Sequence, residues 1–207
     1  MAGVQTCALP IWLLAKRVTA QRLLLVSTDR DKAARIAAAI PNADAGVPAA
    51  FSLASVVLMA LPAHRMEEYY RSYAAFFHPN AVLINCATML PTDQLRRTCG
   101  GHRWFPLKML GSVTSLEQGG TVPLITDSEE AKALLEPHVA KLGEVVVGDE
   151  GWVVTCNRIA ARCALEASLQ IADEIRAHGL PDSFVYAAQT MVARGVIQSY
   201  ADGTLGH

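Results

Sequence analysis

Short apolar runs alternate with segments of helical periodicity between residues 23 and 148. Each run is flanked by polar residues or closed by proline, which predicts buried strands. The predicted strands cover residues 23–27, 56–61, 81–86, 104–105, 121–126 and 145–147. Helical spacing occupies residues 32–40, 65–77, 91–97 and 128–142, and residues 44–55 form a connector that could hold one helical turn.

The pattern changes after Gly151. Two long helical stretches follow, at residues 152–178 and 183–200, and no further strand is predicted. We therefore place a domain boundary within residues 148–152. The predicted domains are residues 12–150 and 151–207.

Strands that alternate with helices at this spacing predict an α/β fold, a Rossmann-like doubly wound parallel sheet. We expect the strands at residues 23–26, 56–61 and 82–86 to lie side by side and to run in the same direction. An all-α helical domain follows this sheet. Its two apolar helices expose more surface than one subunit can cover, which predicts a homodimer.

Composition argues against several classes of partner. The chain is 52% hydrophobic and 18% charged, with a formal net charge of −1 and no lysine or arginine block. These values predict neither nucleic-acid nor membrane binding, and no apolar run has transmembrane length. The five cysteines lack the spacing of metal or redox motifs, so we predict free thiols in a reducing cytoplasm and no metal site.

The first eleven residues resemble a translated sequencing adapter, and we expect them to be an artefactual segment. An unusual natural N-terminus is the alternative. Trp12 then begins in the middle of a helical pattern that has no start signal. The missing elements would be a first strand and its glycine turn. At the other end, residues 202–207 stop inside a predicted loop, so we expect a truncated chain.

The chemistry of an open α/β sheet lies beyond the carboxyl ends of its strands. Ser27, Thr28 and Arg30 follow the first predicted strand, where hydroxyls and a guanidinium suit the 2′-phosphate of NADP. Asp29 would instead favour the ribose of NAD, so NADP is the favoured cofactor and NAD the alternative. An ordinary polar turn would explain the same residues without a ligand.

Other candidates follow the later strands. The predicted cofactor contacts there are Leu61, Pro62, Cys86, Ala87 and Pro106. Lys108 follows a strand end among apolar neighbours, where it could orient an anionic substrate or act as an acid; the alternative is a solvated surface lysine. Asn157 lies near the start of the long helix, where it could face a substrate carboxylate; a polar stripe at a domain junction is the alternative.

The layout from residue 22 to residue 200 resembles the pyrroline-5-carboxylate reductase family. The similar stretches are LLVSTDRDK at 24–32, VVLMALP at 56–62, AVLINCAT at 81–88, FP at 105–106, GEV at 143–145 with Glu150, GLP at 179–181 and AAQT at 187–190. The resemblance implies a nicotinamide-dependent oxidoreductase that reduces a C=N or C=O carbon of a small carboxylate substrate. It also implies a helical dimerisation domain.

The sequence departs from the family pattern at several motifs. Leu107 stands where the family has an asparagine beside the cofactor, and residues 156–161 read CNRIAA in place of its substrate segment. These departures leave two alternatives to the reductase. One is a non-catalytic NAD(P)-binding module that dimerises. The other is an inactive fragment, which without its glycine turn would bind dinucleotides weakly.

Overall fold

The computed structural model describes residues 15–20, 22–111, 116–117 and 119–205. The expected adapter segment, the glycine turn before Trp12 and the last two residues lie outside them. The first compact unit ends at Cys156 and the second begins at Asn157, inside one long helix.

In the described residues, the first unit contains three small sheets, which match the predicted α/β class. Their strands are β1 (Leu23–Val26), β2 (Ala43–Gly46), β3 (Val56–Met59), β4 (Val82–Asn85), β5 (Arg103–Pro106), β6 (Lys108–Met109), β7 (Leu124–Thr126) and β8 (Val145–Val147). β1 pairs with β2, β4 lies between β3 and β5, and β7 lies between β6 and β8. All pairs are parallel except β6 with β7.

Two predictions about the strands were wrong. β3 and β4 do lie side by side and parallel, but β1 bonds to β2 rather than to β3. Residues 44–55 were predicted to be a connector with one possible helical turn, yet β2 occupies their start. The 3₁₀ helix at Pro48–Leu53 agrees with the predicted turn. The sequence of β2 is ADAG, and alanine, aspartate and glycine all have low strand propensity.

The helices follow the predicted order. They are α1 (Arg30–Ala38), α2 (Ala63–Tyr73), α3 (Thr92–Thr98), α4 (Glu129–Val139), α5 (Gly151–Ala177), α6 (Asp182–Ala187) and α7 (Arg194–Ala201), with a 3₁₀ turn at Ala74–Phe76. In α1 and α4 the side chain of the N-cap residue itself makes the cap: Asp29 accepts from Lys32 N and Ser128 accepts from Ala131 N. Each cap satisfies an amide that has no partner within its helix.

The central strand β4 separates two hydrophobic clusters. Its Val82 and Ile84 belong to the cluster that α4 covers, and its Leu83 belongs to the cluster that α2 and α3 cover. Successive strand residues point to opposite faces, so a strand with helices on both faces is apolar throughout. This arrangement is the doubly wound layering that the alternating sequence pattern predicted.

The described part of the second unit consists of helices and the turns that connect them. A π-helical turn at Ala188–Ala193 joins α6 to α7, where the sequence predicted one continuous helix. Gln189 Nε2 donates to Ser168 O at 2.8 Å. The unit buries Ala172 and Val185 and exposes Leu165, Leu169, Phe184, Tyr186, Met191, Val192, Ile197 and Tyr200. No helix in the described residues is both long and apolar enough to cross a membrane.

Candidate functional site

The carboxyl ends of β3, β4 and β5 form one edge of a parallel sheet. Met59 is in register with Asn85, and Asn85 is in register with Pro106. The structure therefore brings together five of the predicted cofactor contacts: Leu61, Pro62, Cys86, Ala87 and Pro106. The ends of parallel strands are where α/β folds place their ligands.

The turn after β1 contains the three predicted phosphate contacts. Ser27 is half-buried, whereas Thr28 and Arg30 are exposed. The Asp29 carboxylate accepts from Lys32 N at 2.9 Å, and Asp29 N donates to Ser27 Oγ at 3.2 Å. Arg30 forms no ion pair with any described residue. The carboxylate is thus held by its own helix, and the guanidinium is available.

Lys108 lies in β6 and is completely buried. Its ammonium donates to Ala87 O at 2.5 Å and to Leu90 O at 2.9 Å, and lies 3.3 Å from Glu150 Oε2. An ammonium has three hydrogens to donate, and these acceptors use all of them. The alternative of a solvated surface lysine is therefore wrong.

Three further polar side chains complete this arrangement. Glu150 Oε1 accepts from Thr92 N at 2.6 Å, and Oε2 accepts from the Thr92 hydroxyl at 2.8 Å. Asn85 Nδ2 donates to Leu90 O at 2.8 Å and to Thr92 Oγ1 at 3.0 Å, while Asn85 Oδ1 accepts from Ala87 N at 3.0 Å. Asn85, Thr92, Lys108 and Glu150 form what we call the Lys108 network.

Sequence reasoning missed most of this network. It singled out Lys108 for its apolar neighbours, but it noted Glu150 only through the family resemblance and did not consider Asn85 or Thr92. One signal was present: Asn85 is a polar residue within the buried run VLIN. Buried amides almost always have hydrogen-bond partners, so Asn85 indicated a polar cluster at this strand end.

Burial controls the ionisation of Lys108. Desolvation lowers the pKa of its ammonium below the ordinary value of 10.5, and the nearby Glu150 carboxylate opposes that shift. Because all its donors are occupied by protein acceptors, the ammonium is better placed to hold neighbouring backbone than to exchange a proton with a ligand.

Asn157, the other predicted substrate contact, is half-buried and is the first residue of the second compact unit. Lys108 lies in the first unit. The described residues contain no group of three or more histidine, cysteine, aspartate or glutamate side chains that could hold a metal ion.

The Cys86 thiol at this sheet edge should make the folding stability depend on pH. Burial raises its pKa from 9.0 to about 12, although the Lys108 charge opposes the shift. The folded thiol thus stays protonated where the unfolded thiol ionises. Stability from this group is complete below pH 9 and is lost as the pH rises towards 12.

We expect the unfolding free energy of the wild type to fall above pH 9, with Cys86 contributing at most about 1.4 kcal/mol per pH unit. Urea unfolding between pH 8 and pH 11 measures the slope. Cys86→Ala should reduce it, whereas alanine at the exposed Cys163 should not. Equal slopes in the wild type and in Cys86→Ala would show that the thiol ionises alike in both states.

Two places in the described part of the site offer groups suited to a dinucleotide. The turn after β1 offers hydroxyls and an available guanidinium, and the edge of β3–β5 offers small and apolar residues on fixed backbone. The segment predicted to bind the pyrophosphate would precede Trp12, outside the described residues.

The fold described above, with parallel strands and helices on both faces in the first unit and helices in the second, is similar to the folds of solved dehydrogenase and reductase structures. No protein-family model matches the sequence, and no curated protein matches it. The similarity to known proteins is therefore a similarity of fold to solved structures.

Three solved structures illustrate this similarity. A pyrroline-5-carboxylate reductase from Coxiella burnetii is 15% identical, with a TM-score of 0.66 over 94% of this chain and 75% of that chain. The 3-hydroxyisobutyrate dehydrogenase of Mycobacterium tuberculosis, determined with L-serine, is 14% identical, with a TM-score of 0.64 over 91% and 69%. An imine reductase variant from Myxococcus stipitatus in complex with NAD+ is 14% identical, with a TM-score of 0.56 over 95% and 70%. The predicted resemblance to pyrroline-5-carboxylate reductase is confirmed at the level of fold.

Proposed function

We propose that this protein is an NADP-dependent reductase that acts on a C=N or C=O carbon of a small carboxylate substrate. The observation that carries the proposal is the common carboxyl end of β3, β4 and β5. Met59, Asn85 and Pro106 are in register there, and the predicted contacts Leu61, Pro62, Cys86 and Ala87 follow β3 and β4. The similar structures support it, since they include a reductase, a dehydrogenase and an imine reductase determined with NAD+.

The turn after β1 supports NADP over NAD. Arg30 is exposed and unpaired among the described residues, next to the hydroxyls of Ser27 and Thr28. Asp29, the residue that argued for NAD, uses its carboxylate to cap α1. In our proposal Ser27, Thr28 and Arg30 bind the 2′-phosphate, because a guanidinium matches phosphate geometry.

The edge residues would position the other end of the dinucleotide. Leu61, Pro62, Cys86, Ala87 and Pro106 would pack against it and exclude water. When bound, a reduced nicotinamide supplies the hydride. Asn157 stays our candidate for a substrate contact. Lys108, first predicted to touch substrate, instead holds the turn that carries Cys86 and Ala87.

The helical unit is our proposed dimerisation surface. Its exposed apolar side chains include Phe184, Met191 and Tyr200. Patches of this kind mark protein–protein interfaces, and a second copy of the chain is the partner we propose. The described cysteines are free thiols, which supports a reducing compartment, the cytoplasm.

A non-catalytic NADP-binding module is the second candidate. The specific observation in its favour is that Lys108, the titratable residue predicted to act as an acid, has no free donor. Such a protein would bind the dinucleotide and dimerise without turning over a substrate.

Calorimetry of the 207-residue chain with NADPH, followed by assays with cyclic imines and keto acids, tests the proposal. Binding with turnover supports the reductase, and binding without turnover supports the module. Absence of binding contradicts both. If grafting a Gly-x-Gly-x-x-Gly turn ahead of Trp12 then restored binding, the chain would be an inactive fragment. Sedimentation of the same sample checks for the dimer.

The cofactor preference predicts a selective effect of Arg30→Ala. Its NADPH affinity should fall about tenfold, or about 1.4 kcal/mol, because the 2′-phosphate loses its guanidinium, while NADH affinity should stay unchanged. Arg35→Ala is the matched control, since Arg35 is an exposed arginine in the last turn of the same helix. An equal loss for NADPH and NADH would contradict 2′-phosphate recognition.

A further inference from the structure

The side chains of the Lys108 network form hydrogen bonds to the turn that follows β4. Residues 86–91 connect the end of β4 to the start of α3. Met89 in this turn is 71% exposed, whereas Asn85, Thr92 and Lys108 are at most 1% exposed. A turn that exposes Met89 at its tip therefore lies on an almost completely buried polar base.

The hydrogen bonds of the network converge on that turn. Lys108 Nζ binds the carbonyls of Ala87 and Leu90, and Asn85 binds Ala87 N and Leu90 O. Both ends of the turn are thus held by two side chains from different strands.

Glu150 extends the network to a distant part of the chain. It lies one residue before α5, and its carboxylate accepts from both the amide and the hydroxyl of Thr92. Pro91, the residue at the N-cap position of α3, provides no side-chain cap. Glu150 therefore supplies the anion that the first amide of α3 needs.

Burial of such a network is costly to stability. Removing charged groups from water costs several kcal/mol, and apolar residues of similar volume often serve stability as well or better. What apolar residues cannot do is fix two carbonyls and an amide at defined positions. The advantage of the network is therefore a single conformation for the turn.

We infer that Lys108 and Glu150 are positioning residues that fix the 86–91 turn and so act on the proposed dinucleotide site through Cys86 and Ala87. This inference rests on the proposed function for its ligand. The part of the inference that concerns the turn is independent of the proposed function, because the rigidity of the turn can be measured without any dinucleotide.

Lys108→Met, Glu150→Gln and the double variant test the inference. Arg22→Met with Asp44→Asn is the control, since this pair is exposed and joins the amino ends of β1 and β2. Hydrogen exchange of the ligand-free chain is the first measurement. We expect the amides of residues 86–90 and of Thr92 to exchange at least about tenfold faster in each single variant, a free-energy change of about 1.4 kcal/mol. The amides of Leu83 and Ile84 should keep their wild-type rates.

The double variant should exchange less rapidly than the two single effects combined predict, because each single change leaves its partner without a counter-charge. Glu150→Gln keeps an acceptor for Thr92 N and serves if Lys108→Met fails to fold. Uniformly faster exchange across the first unit would overturn the inference, since it indicates general destabilisation.

Titration with NADPH is the second measurement. We expect the dissociation constant to rise about tenfold in the single variants and to stay unchanged in the control. Unchanged affinity in variants whose turn exchanges faster would overturn the link to the ligand site. A wild-type chain that binds no NADPH would contradict the proposed function instead, and the exchange data would still decide whether the network holds the turn.

Discussion

Gly143→Ala will lower the unfolding free energy by more than about 4 kcal/mol, an exceptionally large loss for one substitution. Gly143 has a φ of +153°, and a Cβ there would lie 1.9 Å from Val122 O and 2.8 Å from Val122 C and N. Backbone atoms cannot move aside as a flexible side chain can. Domains are stable by about 5–15 kcal/mol in total, so much of the folded population should be lost.

The clash would lie where hydrogen bonds connect the segments that lead into β7 and β8. Val122 N donates to Leu142 O and Leu124 N donates to Glu144 O, both at 2.9 Å. These bonds align β7 with β8 on either side of Gly143. Moving Val122 to accommodate a methyl group would break them and would disturb the core cluster that contains Val122 and Leu142.

Alanine substitutions at two other glycines separate backbone strain from the steric clash, when unfolding in urea is followed by circular dichroism. Gly101 has a φ of +99° and its Cβ would meet only Tyr70 Oη at 3.6 Å, so Gly101→Ala measures backbone strain, about 1–2 kcal/mol. Gly100 has no described atom within 4 Å of its Cβ, so Gly100→Ala should change stability by less than about 0.5 kcal/mol. A Gly143→Ala cost no larger than that of Gly101→Ala would contradict the clash.

The parts of the fold that the sequence predicted are those set by local pattern. β4 was predictable because its sequence VLIN is apolar apart from Asn85. Such a run is what a strand needs when helices cover both of its faces. The start of α4 was predictable because Ser128 is a strong N-cap residue and its hydroxyl accepts from Ala131 N.

The parts that were missed depend on contacts between distant residues. β2 is a strand because β1 pairs with it, and nothing in ADAG itself favours extended backbone. The candidate site shows the same limit. The apolar neighbours of Lys108 identified an unusual lysine, but its role depends on two carbonyls 18 and 21 residues earlier and on a carboxylate outside its own strand.

Substitutions in the hydrophobic clusters and substitutions in the Lys108 network should therefore have different effects. Residues of the two hydrophobic clusters should change how stable the first unit is, without selecting any one turn. Residues of the Lys108 network should change one turn more than they change the whole unit. Core and network variants can therefore be distinguished by comparing global unfolding with local exchange.

Trp104→Ala is the core variant with the largest expected cost after Gly143→Ala, about 3–5 kcal/mol. Trp104 is 2% exposed and lies in the cluster that α2 and α3 cover. Its ring meets that of Tyr70 at 5.5 Å and 61°, and its indole Nε1 donates to Cys99 O at 3.0 Å. Removing the indole would leave both a cavity and a buried carbonyl without its donor.

Trp104→Phe separates these contributions in urea unfolding, because it keeps an aromatic ring and loses the donor; we expect a cost of about 1–2 kcal/mol. Phe76→Ala, at a ring that is 43% exposed, should cost about 1 kcal/mol or less. Trp104 lies two residues before Pro106, the β5 residue at the sheet edge. Trp104→Phe should therefore keep the wild-type NADPH affinity wherever it is fully folded. A loss of affinity in that variant, without faster exchange at residues 86–92, would mean that β5 and not the turn positions the ligand.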